Sequence, residues 1–174
     1  DTTFNAGTAV NQSNPAVLKT LVRQQDGKYL IGGLFTTFNN QTHKGLVRLN
    51  QNGSIDTSFH IGSGFLSTIF GSDYHVNSIS VQYDNKILVG GNFINYNGTN
   101  VNQLVRLNTN GSLDTTFSNS ITSYFNVQKT VQQPNGKIMV LVLPTNSTFS
   151  DLSILNSDGT LAMDFSTPTI YNAS

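Results

Sequence analysis

The stretch Leu46–Phe59, LVRLNQNGSIDTSF, returns almost letter for letter at Leu104–Phe117 as LVRLNTNGSLDTTF. A looser third copy, LSILNSDGTLAMDF, occupies Leu152–Phe165. A second shared stretch precedes each: DGKYLIGGLF (Asp26–Phe35), DNKILVGGNF (Asp84–Phe93) and the degenerate NGKIMVLVLP (Asn135–Pro144). The opening DTTF (Asp1–Phe4) matches only the tail of such a copy. From the Lys of one stretch to the final Phe the spacing is 31, 31 and 28 residues, so this half of the repeat is nearly fixed. From a Phe to the next Lys it is 24, 27 and 20, so length varies mainly there. Self-similarity at this period is the mark of a repeat architecture.

Each unit reads as four short strands. The first lies near Val17–Gln24, Val76–Tyr83 and Val127–Gln133, and the second at Lys28–Phe35, Lys86–Phe93 and Lys137–Leu143. The third is Leu46–Leu49, Leu104–Leu107 and Leu152–Leu155, and the fourth is the short IDTSF, LDTTF or LAMDF. Asp26-Gly27, Asp84-Asn85 and Asn135-Gly136 supply turn chemistry between strands one and two. Asn52-Gly53, Asn110-Gly111 and Asp158-Gly159 do so between strands three and four. Four antiparallel strands per unit predict an all-β chain of three tandem β-propeller blades, part of a larger propeller. A stacked β-solenoid is the structural alternative, with weaker hairpin signals. The expected boundaries are 1–4 for the last strand of a preceding blade, then 5–59, 60–117 and a degenerate 118–174. Three blades are fewer than the four to eight that close a ring. Their flanks are therefore expected to be covered by further blades of the same polypeptide or by another protein chain.

Composition agrees. Formal net charge is zero, only 10% of residues are charged, and the nine acidic residues are all Asp. In their place stand 22 Asn, 20 Thr and 18 Ser, which favour turns and strands over helix. No basic patch points to nucleic acid or an anionic membrane, and no apolar run approaches the roughly 20 residues of a membrane span. Cysteine is absent, which excludes a thiol site.

These motifs resemble the delta-60 repeat family, a bacterial β-propeller repeat of poorly defined function. The resemblance covers nearly the whole chain and is specific in the first two copies. In the third, Val142 and its neighbours replace the Gly pair, Ile154 replaces the Arg of LVRL, and Asp164 is displaced towards Phe165. The resemblance implies a large secreted or surface-anchored bacterial protein with repeats used for display or binding, and supplies no catalytic residues.

Strand parity places the variable connections on one face: 5–16, 60–75 and 118–126, together with 36–44, 94–102 and 145–150. Loops on a rigid scaffold are where binding residues concentrate. The candidates are Phe65, Phe70, Tyr74 and His75 in the longest connection, with Phe38 and Tyr96 in the two-to-three loops. Aromatics among Gly and Ser suit a glycan or surface-protein ligand, while folding back to cap their own blade is the alternative. The 60–75 connection is expected to be the most exposed. Gly32-Gly33 and Gly90-Gly91 are expected where neighbouring blades approach closely. Arg48 and Arg106 are expected to anchor Asp56 and Asp114.

The three histidines, His43, His60 and His75, form no metal-ligand pair, and neither a GxSxG elbow nor any Glu is present. Asn50–Asp56 is similar to an oxygen-ligand calcium loop but is explained by its Asn-Gly turn. The expectation is a non-enzymatic binding or structural module without cofactor or metal, extracellular, serving adhesion or display. The alternatives are an exterior phage or viral fibre, and a propeller hydrolase or lyase whose active site lies in blades not present here.

Overall fold

The computed structural model describes residues 4, 7–11, 15–66, 74–121, 124–144 and 150–162. The strands fall into repeating sets. The first set comprises β1 (Ala9–Val10), β2 (Val17–Arg23), β3 (Tyr29–Leu34), β4 (Thr37–Phe38), β5 (Gln41–Thr42) and β6 (Leu46–Leu49). The second comprises β7 (Phe65–Leu66), β8 (Val76–Val81), β9 (Ile87–Gly91), β10 (Asn95–Tyr96), β11 (Thr99–Asn100) and β12 (Leu104–Leu107). The third comprises β13 (Tyr124–Gln132), β14 (Ile138–Pro144) and β15 (Asp151–Leu155). The blade sheets β2-β3-β6, β8-β9-β12 and β13-β14-β15 are antiparallel, with the middle strand formed by the shared KxLxGG-type stretch. The chain is all-β and consistent with propeller blades.

The six turns after strands one and three share one geometry. In the first, Gln24 N–H bonds Lys28 O and Gly27 N–H bonds Gln24 O, leaving a three-residue loop whose last residue is left-handed. Gly27, Gly53, Gly111, Gly136 and Gly159 take φ between 82 and 91° there. Asn85 fills the sixth such place at φ 64°, a conformation that only Gly adopts without cost.

The fourth strand differs from expectation. Among the described residues it pairs with the third strand only at single bridges, Leu49↔Ile55, Leu107↔Leu113 and Leu155↔Leu161. The chain then turns away, because the Asp56 and Asp114 side chains accept the Ser58 and Thr116 N–H groups and close tight Asx turns. The two-to-three loops are also more ordered than expected. Each forms a small hairpin, β4-β5 or β10-β11, to which β1 or β7 adds a third strand.

Alternation along the middle strands sorts the core. On blade 1, Leu30, Gly32, Leu46 and Arg48 face the next blade, while Tyr29, Ile31, Val47 and Leu49 face the opposite way. One apolar cluster joins Leu30 and Leu46 of blade 1 to Val76, Ile79, Ile87 and Val89 of blade 2. The next joins Leu88 and Leu104 of blade 2 to Val127, Val140 and Leu155 of blade 3. Inter-blade contact is concentrated in the first strands, β2 against β8 and β8 against β13, so these lie innermost and the sheets fan outward.

Gly32 and Gly90 set the blade spacing. A Cβ on Gly32 would stand 2.5 Å from Val76 Cγ1 and 3.0 Å from Ile79 Cδ1, both on blade 2. A Cβ on Gly90 would strike Val127 of blade 3 in the same way. Their neighbours Gly33 and Gly91 differ from expectation. They face the backbone carbonyls of Val17 and His75 within their own blades, where each first strand carries a bulge.

Candidate functional site

Each first strand shifts register at the same place, between Leu18 and Thr20, between Val76 and Ser78, and between Val127 and Lys129, and β13 shifts a second time between Tyr124 and Asn126. At the shared place the extra residues are Lys19, Asn77 and Gln128. A bulge leaves its residue outside the ladder and re-aims its side chain. Because the first strands lie side by side, these residues fall into a row. Lys19 Nζ donates to Asn77 Oδ1 at 2.9 Å, and Asn77 Nδ2 donates to Asn126 Oδ1 at 2.6 Å and to Val127 O at 3.1 Å. Ser150 Oγ donates to Gln128 Oε1 at 3.0 Å. Lys19, Asn77, Asn126 and Gln128 line an open groove of about 400 Å³. Partial burial lowers the Lys19 ammonium pKa from its usual value. One cation and three amides, with no carboxylate among the lining residues, offer hydrogen bonds to a neutral polar ligand and no general acid–base pair. Sequence reasoning missed this row: the three bulge residues share no residue type, and a bulge is a property of pairing.

A second recess of about 340 Å³ opens along the outer edge of β12, where the expected fourth strand leaves the third unpaired. Thr99 of the β10-β11 hairpin, Asn102, Leu104, Phe117 and Asn119 contribute to its wall. Asn119 Nδ2 caps the free Leu104 carbonyl at 2.8 Å.

The sequence-predicted aromatics are core residues. Phe38, Phe65 and Tyr96 are fully buried, and Tyr74 is buried with its hydroxyl donating to Phe35 O at 2.7 Å. Phe65 packs on Phe93 and Tyr96 at centroid separations of 4.3 and 4.7 Å, and Tyr96 Oη donates to Gly111 O. Burial pushes the Tyr96 hydroxyl pKa up. The half-buried His75 donates its backbone N–H to Asn92 Oδ1. These side chains close the small hairpins onto the blades, and the four buried ones present no contact surface to a ligand. Phe70 lies outside the described residues. The described part of the 60–75 connection shares a face with 36–44, since Phe65 N–H bonds Lys44 O at 3.1 Å. In that part Ile61, Gly64, Phe65 and Tyr74 are buried while His60, Gly62 and Ser63 are exposed, and residues 67–73, on which the expected exposure of the whole connection rests, lie outside the described residues.

The expected ion pairs form and carry more than expected. Arg48 Nε donates to Asp56 Oδ2 at 2.7 Å, and Lys28 Nζ reaches the same oxygen at 2.9 Å. Arg48 also stacks on Phe59 at 4.5 Å and donates through Nη1 to Thr109 O, in the outer turn of blade 2, at 2.6 Å. Blade 2 repeats the set: Arg106 with Asp114 at 2.6 Å, Lys86 with Asp114 at 2.9 Å, Phe117 beneath the guanidinium, and Ser157 O of blade 3 at 2.6 Å. Burial alone would raise the pKa of Asp56 and Asp114. The bonds from Lys, Ser or Thr and Arg outweigh it and hold both well below the usual carboxylate range. Among the described residues no three His, Asp or Glu side chains converge as a metal site.

The family model described as Domain of unknown function (DUF5122) beta-propeller matches residues 24–59 and 82–117. Those segments run from the first hairpin turn to the final Phe of the first two copies, so the chain carries a β-propeller repeat. No curated protein and no solved structure matches the chain.

Proposed function

We propose that the chain is a non-enzymatic binding and structural module, of the delta-60 repeat kind, in a large bacterial secreted or cell-surface protein. It serves adhesion or display by holding a neutral glycan, or a polar protein segment, across the inner groove. The observation that carries this reading is a division of labour. The residues that repeat face the neighbouring blade: Gly32 and Gly90 seat it, and the Arg–Asp–Lys sets latch it. The positions that vary between copies, Lys19, Asn77 and Gln128, line the open groove. Amide and ammonium donors in a row suit successive hydroxyl groups, and variation on a rigid scaffold is how binding specificity is set. The two best-buried carboxylates are each held by two cations and are poorly placed to exchange protons, which supports a role without catalysis.

A glycan array probed with the whole chain and with the triple variant Lys19→Ala, Asn77→Ala, Gln128→Ala tests this. Selective binding that falls at least about tenfold in the triple variant, about 1.4 kcal/mol, is expected. Binding indifferent to all three substitutions, or cleavage of the bound glycan, contradicts it.

A further inference from the structure

The two outer flanks of the three-blade arc are built differently. On the inner strand of blade 1, Leu18 is 54% and Leu21 is 66% exposed. The pairing registers make them the counterparts of Val76 and Ile79 on blade 2 and of Val127 and Thr130 on blade 3. All four counterparts are buried against the preceding blade, on either side of Gly32 or Gly90. The outer half of the same flank is already occupied in the manner of the other blades. Phe4, in the repeat position of Phe59, meets Tyr29 edge-on at 5.6 Å.

The outgoing flank of blade 3 has lost the Gly, the Arg and the Asp of the docking set, and of the latch only Lys137 keeps its place. By register Leu141 stands where Gly32 and Gly90 stand, since it pairs with Leu152 as they pair with Leu46 and Leu104. Ile154 replaces Arg48 and Arg106. Ala162 replaces Asp56 and Asp114, its N–H bonding Ile154 O as theirs bond Arg48 O and Arg106 O. A Val at the incoming position, already 2.5 Å from a bare Cβ on Gly32, has no room beside the whole Leu141 side chain.

The geometry points to a polar array: the Leu18–Leu21 flank is a docking surface for a further blade of this repeat, whose strand-two Gly seats the two leucines and whose strand-three Arg latches the Gln51 carbonyl. The Leu141–Ile154 flank rejects a blade of that kind. Gln51 holds the turn position of Thr109, the acceptor that Arg48 uses, which fixes where the incoming arginine must reach.

Two fusions of the whole chain test the polarity. Residues 60–113 placed before Asp1 regenerate the repeat register, because Leu113 is then followed by Asp1–Phe4. The second fusion carries residues 60–117 after Ser174. The N-terminal blade is expected to raise the melting temperature by on the order of 10 °C and to protect the amides of Val17–Arg23 from hydrogen exchange. Leu21→Arg, neutral in the bare chain, is expected to abolish that gain. The C-terminal blade is expected to leave the melting temperature unchanged, and to raise it only with Leu141→Gly, Ile154→Arg and Ala162→Asp together. Equal stabilisation by both fusions with the native flank, or an N-terminal blade that neither stabilises nor protects, overturns the inference.

Discussion

Gly32 and Gly90 show how one missing methyl group sets the spacing of two sheets. Val76 and Val127 are β-branched and stiff at χ1, so they cannot swing away from an added Cβ. Gly32→Ala and Gly90→Ala are each expected to destabilise by about 1–3 kcal/mol through overpacking, measured by urea unfolding. Asp56 and Asp114 act through charge. Their folded pKa lies well below the ordinary 3.8, so just under that value the unfolded chain holds more protons than the folded one. Stability is therefore fully present above about pH 5 and falls as the pH drops through 4 and below. Asp56→Asn, which leaves Arg48 buried without its partner, is expected to cost about 3–5 kcal/mol at pH 7 and to flatten the acid limb. An unchanged acid limb in urea titrations from pH 7 to pH 2 would show that the carboxylate does not carry this linkage. The Arg–Asp pairing was legible in the sequence, because the third copy loses both residues of the set. The reach of Arg48 to Thr109 O was not, since a backbone acceptor leaves no mark in residue type.

Strands two and three were legible to within a residue or two, because each is bounded by the same left-handed turn. That turn also carries a prediction. Asn85 occupies the position that five glycines hold elsewhere, so Asn85→Gly is expected to be neutral or to stabilise by up to about 1 kcal/mol. Gly27→Ala, at φ 83° and with its Cβ 2.6 Å from Gln51 Nε2, is expected to destabilise. Melting temperatures of the two variants moving in the same direction would contradict the shared turn geometry. The fourth strand was misread because LDTTF has strand-like residues, yet the Asp side chain competes for the backbone and turns the chain after one bridge. For the aromatics of the two-to-three loops, Phe38 and Tyr96, residue type leaves both a ligand contact and a cap on their own blade open, and their burial decides for the cap. No local pattern announces that Thr37–Phe38 and Asn95–Tyr96 become hairpin strands whose side chains fill a core.

Across the whole molecule the blades meet through their first strands. The seam between blades 2 and 3 is lined by hydroxyls at its centre: Ser78 Oγ and Thr130 Oγ1 lie 3.1 Å apart, and Thr130 N–H donates to Ser78 Oγ at 2.9 Å. These residues are 52 apart in sequence and can meet only if the sheets fan with their first strands innermost. The chain has no cysteine, so an introduced pair reports on this contact without background. Ser78→Cys with Thr130→Cys, oxidised and assayed for free thiol, is the most direct test of the blade packing. The packing described here predicts near-complete intramolecular disulfide formation and a melting temperature that falls on reduction. Two persistently free thiols in a folded chain, or disulfides formed only between chains, would contradict it.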